Sequence, residues 1–121
     1  MNKVDLIGRM VADPEVRYTS GNEPMAVCKF ILAVSRKARD KSDFIPCVAF
    51  RMVAELMEKY VHKGDRIGIS GHIQTGSYEN KEGKRIYTVE VITDDLYFLE
   101  SKRKQDDIPA GYQAMEDDMP F

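Results

Sequence analysis

The chain has 121 residues, 43% of them hydrophobic, which is enough for one domain with its own core and without disulfides or a structural metal. Its first residues lack the apolar centre of a signal peptide and no segment approaches a membrane span, so we expect a cytosolic protein. Cys28 and Cys47 stand inside apolar runs, which predicts small buried side chains rather than a disulfide or a metal pair.

The net charge of −2 conceals an uneven distribution along the chain. Residues 1–104 contain all 18 Lys and Arg beside 15 acids, a net charge of +3, whereas residues 105–121 contain five acids and no base. A mildly basic body with an acidic tail is common among nucleic-acid binders whose tail contacts proteins. A charge of +3 is by itself also compatible with an ordinary domain.

Period-two alternation predicts three strands in the first half of the chain. The first covers residues 3–10. The second covers residues 25–35 and is apolar on both faces, so we expect both faces to be covered. A polar loop over residues 36–43 leads to a third strand over residues 44–51.

The period then changes to that of an amphipathic helix. Its apolar stripe consists of Val53, Leu56, Met57, Tyr60 and Val61. Gly64 can end this helix. Alternation resumes over residues 66–74, and a polar loop is predicted over residues 76–85. A last strand follows over residues 86–93, and residues 96–99 extend it or come after it.

This order of three strands, one helix and two strands matches an all-β, five-stranded OB-fold barrel with its helix between the third and fourth strands. A strand–helix sandwich of another topology stays open. We expect the barrel domain to occupy residues 1–100. The apolar pattern fails beyond it, which predicts a disordered C-terminal tail, with a flexible linker over residues 101–115 and an acidic tip over residues 116–121.

The tip places three acids before an apolar tripeptide. Its residues are Glu116, Asp117, Asp118, Met119, Pro120 and Phe121. Such a segment has too little apolar surface to fold alone. It suits capture by a partner protein that offers a pocket for the Phe121 ring and basic groups for the carboxylates. The alternative is a solvated terminus without a partner.

Several short motifs follow one another in a specific order. They are Asn2-Lys3-Val4-Asp5-Leu6-Ile7-Gly8-Arg9, Asp13-Pro14-Glu15-Val16-Arg17-Tyr18, Phe30-Ile31-Leu32-Ala33-Val34-Ser35, Lys63-Gly64-Asp65-Arg66-Ile67, Tyr87-Thr88-Val89-Glu90-Val91 and Asp117-Asp118-Met119-Pro120-Phe121. The ordered set resembles the family of bacterial single-stranded DNA-binding proteins over residues 2–100 and again at the tip.

The resemblance implies an OB fold, assembled as a homotetramer, that coats single-stranded DNA without sequence preference. It also implies that the tip recruits replication, recombination and repair proteins. The positions that it assigns to base stacking and to phosphate contact are Phe44, Phe50 and Tyr78, and Lys3, Arg39, Lys41 and Lys63. The chain departs from the family pattern in having no tryptophan, with Ala38 where one often stands, and in its short linker. It resembles a small-format member.

A nonspecific single-strand binder needs flat rings for bases and cations for phosphates. Two loops combine cations with flanking aromatic residues: Arg36, Lys37, Arg39 and Lys41 in one, and Lys81, Lys84 and Arg85 in the other. The alternative is that these loops are solvated turns and that Phe44 and Phe50 belong to the core. Periodicity leaves this open because both share strand parity with Val48, whereas Tyr78 stands at a loop edge.

Neither catalysis nor a cofactor is predicted. His62 and His72 are interpreted as structural, and no spacing suggests a metal site, a phosphate loop or a nucleophile with its base. The alternative function is that of an OB-fold RNA-binding or primosome-type adaptor protein. A small nuclease is disfavoured because the sequence offers no acid cluster suited to a metal.

Overall fold

A computed structural model describes residues 1–37 and 40–100. The elements in chain order are β1 (Val4–Met10), β2 (Glu15–Tyr18), β3 (Ala26–Ser35), β4 (Ser42–Phe50), α1 (Arg51–Tyr60), β5 (Arg66–Glu79) and β6 (Arg85–Glu100). Within these residues no helix has the length and apolar character needed to cross a membrane. Arg39, the linker and the acidic tip lie outside the described residues.

The strands form one closed sheet in the order β1-β5-β6-β4-β3, with β2 attached to the other edge of β3. Closure comes from pairing of β1 with β3 at Arg9↔Ala33 and Met10↔Leu32. The β4–β6 pair is parallel and the remaining pairs are antiparallel. This is the predicted OB-type barrel, with α1 between the strand that precedes it and the long β5–β6 hairpin, so the fold class is confirmed.

The barrel interior is filled by alternate residues of each strand. In β3 the buried residues are Ala26, Cys28, Phe30 and Leu32. The other face of β3 carries Lys29 and Ile31, and Ile31 is 46% exposed. The prediction that both faces of this strand are covered is therefore wrong for the single chain, because Lys29 and Ile31 on the second face are exposed. The helix α1 closes the barrel with Ala54 and Met57, which are fully buried.

Two elements differ from those predicted. The short strand β2 contains one half-buried apolar residue, Val16, which is too weak an alternation to reveal a strand. The polar loop predicted over residues 76–85 is wrong: β5 continues to Glu79 and β6 begins at Arg85, with Glu79 opposite Arg85. This hairpin arm has no buried face beyond its base, so it lacks the hydrophobic alternation that marks a strand.

The turn of the arm is fixed by Asn80. Its Oδ1 accepts hydrogen bonds from the backbone N–H groups of Glu82 and Lys84, both at 2.9 Å. Its own backbone N–H donates to the carbonyl of Lys84 at 2.9 Å. Gly83 completes the turn at φ 81°, a conformation that side-chain-bearing residues adopt at a cost. The strands of the arm are therefore joined by a compact turn rather than a long loop.

Candidate nucleic-acid interface

The outer face of β4 carries two of the predicted stacking residues. Cys47 and Ala49 of this strand point into the core and are buried, so the alternate residues lie on the outside of the barrel. Phe44 is 63% exposed there, and Phe50 is half-buried. Neither ring belongs to the core cluster, which answers the question that periodicity left open. Phe44 offers a free ring face to a base, and Phe50 offers part of one.

Tyr78 of the hairpin arm lies on the same side of the sheet. Residues paired directly across two strands share a face, and His72 pairs with Ile92, which in turn pairs with Val48 of β4. Tyr78 stands six residues after His72 on the same strand, an even number, so the two side chains share a face. The Tyr78 side chain is 55% exposed. The fold thus brings the three predicted aromatic residues, distant in sequence, to one outer face, which we call the aromatic face.

Strand register adds two cations that the sequence reasoning missed. Val27 of β3 pairs with Phe50 on one side and with Arg17 of β2 on the other. Lys29, two residues on, therefore lies on the same face and pairs with Val48. The alternation of β3 could have placed Lys29 outside the barrel, but Arg17 could not be found because β2 itself gave no signal.

The loop between β3 and β4 brings Arg36 and Lys41 beside the aromatic face. The backbone N–H of Arg36 donates to the carbonyl of Lys41 at 3.0 Å, which closes the loop. The Arg36 guanidinium is not free, because its Nη2 lies 2.7 Å from Oδ1 of Asp43. Hydrogen bonds from Arg36 hold the pKa of the Asp43 carboxyl below its usual range. Lys41 is exposed, and Arg39 is outside the described residues.

The cations of the hairpin arm divide between its turn and its two faces. Lys84 is part of the turn closed by Asn80. Arg85 donates from Nη1 to Oγ of Ser77 at 2.9 Å, so it lies on the face opposite to Tyr78. The same opposite face carries Tyr87, which is 77% exposed. Of the predicted pair at this end of β6, Lys84 is thus the better placed for a strand stacked on Tyr78.

Lys3 and Lys63 approach from other elements. Lys3 precedes β1 and shares the parity of Asp5, which is opposite to the inward-facing Leu6. Lys63 follows α1, and its backbone N–H donates to Oδ1 of Asp13 at 2.8 Å. That bond ties the turn before β5 to the loop after β1, leaving the Lys63 side chain exposed. These two cations border the barrel at separate places rather than forming one cluster.

The two histidines make local contacts. Nδ1 of His72 lies 3.1 Å from Oδ2 of Asp94, and the backbone N–H of His62 donates to Oδ2 of the buried Asp65 at 2.9 Å. In the part of the chain that the structure describes, no group of three or more His, Cys, Asp and Glu could hold a metal ion. The chemistry available at the aromatic face is therefore stacking, charge pairing and hydrogen bonding.

An OB barrel with exposed rings and cations on one sheet face is typical of proteins that bind single-stranded nucleic acids. Comparison with known families narrows this class. Residues 1–99 match the model of the single-strand binding protein family, and the chain belongs to that family. Its family is one of DNA-binding proteins, and the chain is not an enzyme.

Curated relatives agree with this assignment. The chain is 45% identical to a single-stranded DNA-binding protein of Clostridium tetani, over 98% of this chain and 83% of the relative. It is 45% identical to one of Clostridium perfringens, over 84% of this chain and 67% of the relative. Single-stranded DNA-binding protein 3 of Streptococcus agalactiae is 44% identical, over 87% of this chain and 78% of its own length.

Proposed function

We propose that this protein binds single-stranded DNA without sequence preference and protects it. The observation that carries the proposal is the placement of Phe44, Phe50 and Tyr78 on one outer face, which also holds Arg17 and Lys29. Rings accept any base, because every base has a π-face, and each stacked base contributes about 1–3 kcal/mol. The cations add a sequence-independent attraction to phosphate. The relatives are named single-stranded DNA-binding proteins, which supports the same activity for this chain.

A salt titration with labelled polythymidine tests this function. Neutralising Z phosphates gives a log–log slope of about −0.7Z for single strands. Stacking is expected to leave residual affinity at high salt. Duplex DNA and structured RNA of the same length serve as comparators. Tighter binding to the structured RNA than to polythymidine would favour an RNA-binding or adaptor role instead, and a flat salt response would contradict the cationic face.

We further propose a homotetramer, and an open strand edge supports the pairing of two copies within it. β1 pairs along one side with β5 from Val4 to Arg9, whereas only Arg9 and Met10 pair with β3 on the other side. A second copy can add its own strand to the free backbone groups of the first half of β1. Beside this edge lies a groove of about 570 Å³ whose lining includes Leu6, Ile7 and Tyr97. Native mass measurement with oligonucleotides of graded length tests the assembly.

Residues 101–121 lie outside the part of the chain that the structure describes, and we propose a role for them from the sequence. Residues 101–115 act as a flexible linker, and Glu116 to Phe121 recruit replication, recombination and repair proteins. The acidic charge of this segment and its closing aromatic residue support the role. We also propose that the protein acts in the cytoplasm, in association with the nucleoid, because that is where exposed DNA would be bound. Duplicate titrations of a purified partner with the intact chain and a chain ending at residue 115 test recruitment.

A further inference from the structure

Arg51 has a backbone conformation that is unusual for its residue type. Its φ of 56° makes it the one non-glycine residue with positive φ among those that the structure describes. A side chain is disfavoured in this left-handed region because Cβ approaches the carbonyl oxygen, and glycine avoids the clash. Such conformations persist where the surrounding structure or a function maintains them. The place of Arg51 at the junction between β4 and α1 does not by itself explain why a residue with a side chain has this positive φ.

The side chain of Arg51 reaches from the start of α1 to the start of β3. Its Nε is 3.4 Å from Sδ of Met25, the residue that precedes β3. A thioether sulfur is a weak acceptor and leaves most of the guanidinium donors available. Within the described chain no carboxylate oxygen lies within 4.0 Å of these nitrogens. The residue as a whole is exposed to solvent.

This position continues the aromatic face beyond Phe50. Arg51 directly follows Phe50, which shares a cross-sheet row with Val27 and Arg17. A base stacked on the half-buried Phe50 ring carries a phosphate on each side. Arg51 follows Phe50 at the end of β4, whereas Arg17 lies on β2 with Val27 of β3 between it and Phe50. A planar guanidinium with open donors suits a phosphate.

Two acids nearby define the competing explanation. Glu23 and Glu55 line the same shallow groove of about 300 Å³ as Arg51 and Met25. If Arg51 served mainly to balance these carboxylates, its replacement would lower stability and leave DNA affinity unchanged. The hydrogen bond of the Arg51 guanidinium goes to the sulfur of Met25 and not to either acid, which favours an external anion.

We propose that Arg51 binds a phosphate of the DNA strand that stacks on Phe50, and that its left-handed backbone is retained for this contact. The inference rests on the proposed function and extends it to a residue that the motif positions do not include. The proposal predicts that replacing Arg51 with glycine changes thermal stability and DNA affinity in opposite directions. Glycine at this position relieves the backbone strain and removes the contact, so the protein becomes more heat-stable and binds DNA less tightly.

The test compares Arg51→Gly, Arg51→Ala and Arg51→Lys in the full chain, by thermal unfolding and by polythymidine titration across salt. Arg51→Gly is expected to raise the Tm by about 2–5 °C and to weaken binding about 3- to 10-fold at low salt. The magnitude of its salt slope should fall by about 0.7. Arg51→Ala should weaken binding similarly without the gain in Tm, and Arg51→Lys should keep the salt slope.

Lys59→Ala is the matched control, because it removes one positive charge at the last turn of the same helix, about 12 Å along its axis. It should change polythymidine affinity less than twofold. If the wild-type chain binds polythymidine and Arg51→Gly binds it with the same affinity and salt slope, the inference is overturned and the proposed function stands. Equal losses of affinity in Lys59→Ala and Arg51→Ala would have the same meaning. Absence of polythymidine binding by the wild-type chain would overturn the proposed function itself.

Discussion

Arg36 and Asp43 pair across the start of the loop between β3 and β4, with Nε at 2.9 Å and Nη2 at 2.7 Å from the same carboxylate oxygen. Phosphate must compete with this carboxylate for the guanidinium. Asp43→Asn removes the competing charge, so single-stranded DNA should bind about 2- to 5-fold more tightly at low salt, with a salt slope about 0.7 larger in magnitude. Fluorescence anisotropy with polythymidine measures both quantities.

The pH dependence of stability provides the control for this pair. The pKa of Asp43 is lowered by the hydrogen bonds from Arg36, so the carboxylate stabilises the folded chain above its ordinary pKa near 4. That contribution is lost as the pH falls through the lower folded value. The difference in unfolding free energy between wild type and Asp43→Asn should therefore begin to shrink as the pH falls below about 4 and vanish below the folded pKa of Asp43. A constant difference down to pH 2 would contradict the pairing.

Tyr78 and Tyr87 give a matched comparison on the two faces of the hairpin arm. Tyr78 lies on the aromatic face, whereas Tyr87 lies on the opposite one, and both rings are more than half exposed. Tyr78→Ala should cost about 1–3 kcal/mol of polythymidine binding for each base that it stacks, and Tyr78→Phe should cost little. Tyr87→Ala should retain most of the affinity. Equal losses at both positions would show that the arm does not bind DNA by one face.

The fold was largely predictable from the sequence, whereas the surface was predictable only in part. Burial on one face gives a strand its alternation, so the core strands and α1 could be predicted. The outer half of the hairpin arm and β2 bury little, and pairing alone defines them. The outward position of Phe44 and the row that joins Arg17 to Phe50 depend on which strands are neighbours. Such register is long-range and is not encoded in local pattern.

Gly71 marks a place where the barrel admits no side chain. A Cβ at this position would lie 1.8 Å from the carbonyl oxygen of Ile92, beside the register shift between Ser70 and Gly71. Backbone cannot move aside cheaply, so Gly71→Ala should destabilise the chain by about 3 kcal/mol or more. Gly68→Ala on the same strand is the control, since its nearest contact, Cβ of Tyr97, is at 3.5 Å. Urea unfolding of both variants measures the difference, and equal midpoints would refute the close approach.

The two cysteines are expected to govern part of the alkaline stability. Burial raises the pKa of the Cys28 thiol to about 11 and that of Cys47 to about 12. An unfolded thiol ionises near pH 8.5, so their contribution is complete below that pH and is lost as the pH rises through the folded values. Neither thiol should react with iodoacetamide at pH 8 in the folded chain, and both should react in denaturant. Mass spectrometry counts the adducts; rapid labelling of the native chain would contradict the burial.

The proposed recruitment requires Phe121 of the acidic tip to act separately from the barrel. Deleting Phe121, or replacing it with Ala, removes the ring that a partner pocket would bury. The barrel does not depend on this residue in the proposal, so thermal unfolding and oligomer mass should stay unchanged. Binding of a purified replication or repair protein should weaken markedly, mainly through faster dissociation, and surface plasmon resonance can resolve the rates.

Asp117→Asn and Asp118→Asn are the matched changes within the tip, since they remove charge and keep shape. Charges that steer an encounter are screened by salt, so these variants should slow association more than they speed dissociation. If residues 101–115 form the proposed flexible linker, they would span roughly 20 Å on average, enough for the acids to reach the chain's own cations. Removing the tip should therefore tighten polythymidine binding slightly at low salt and not at high salt. Partner affinity that is the same with and without Phe121 would rule out recruitment through this end.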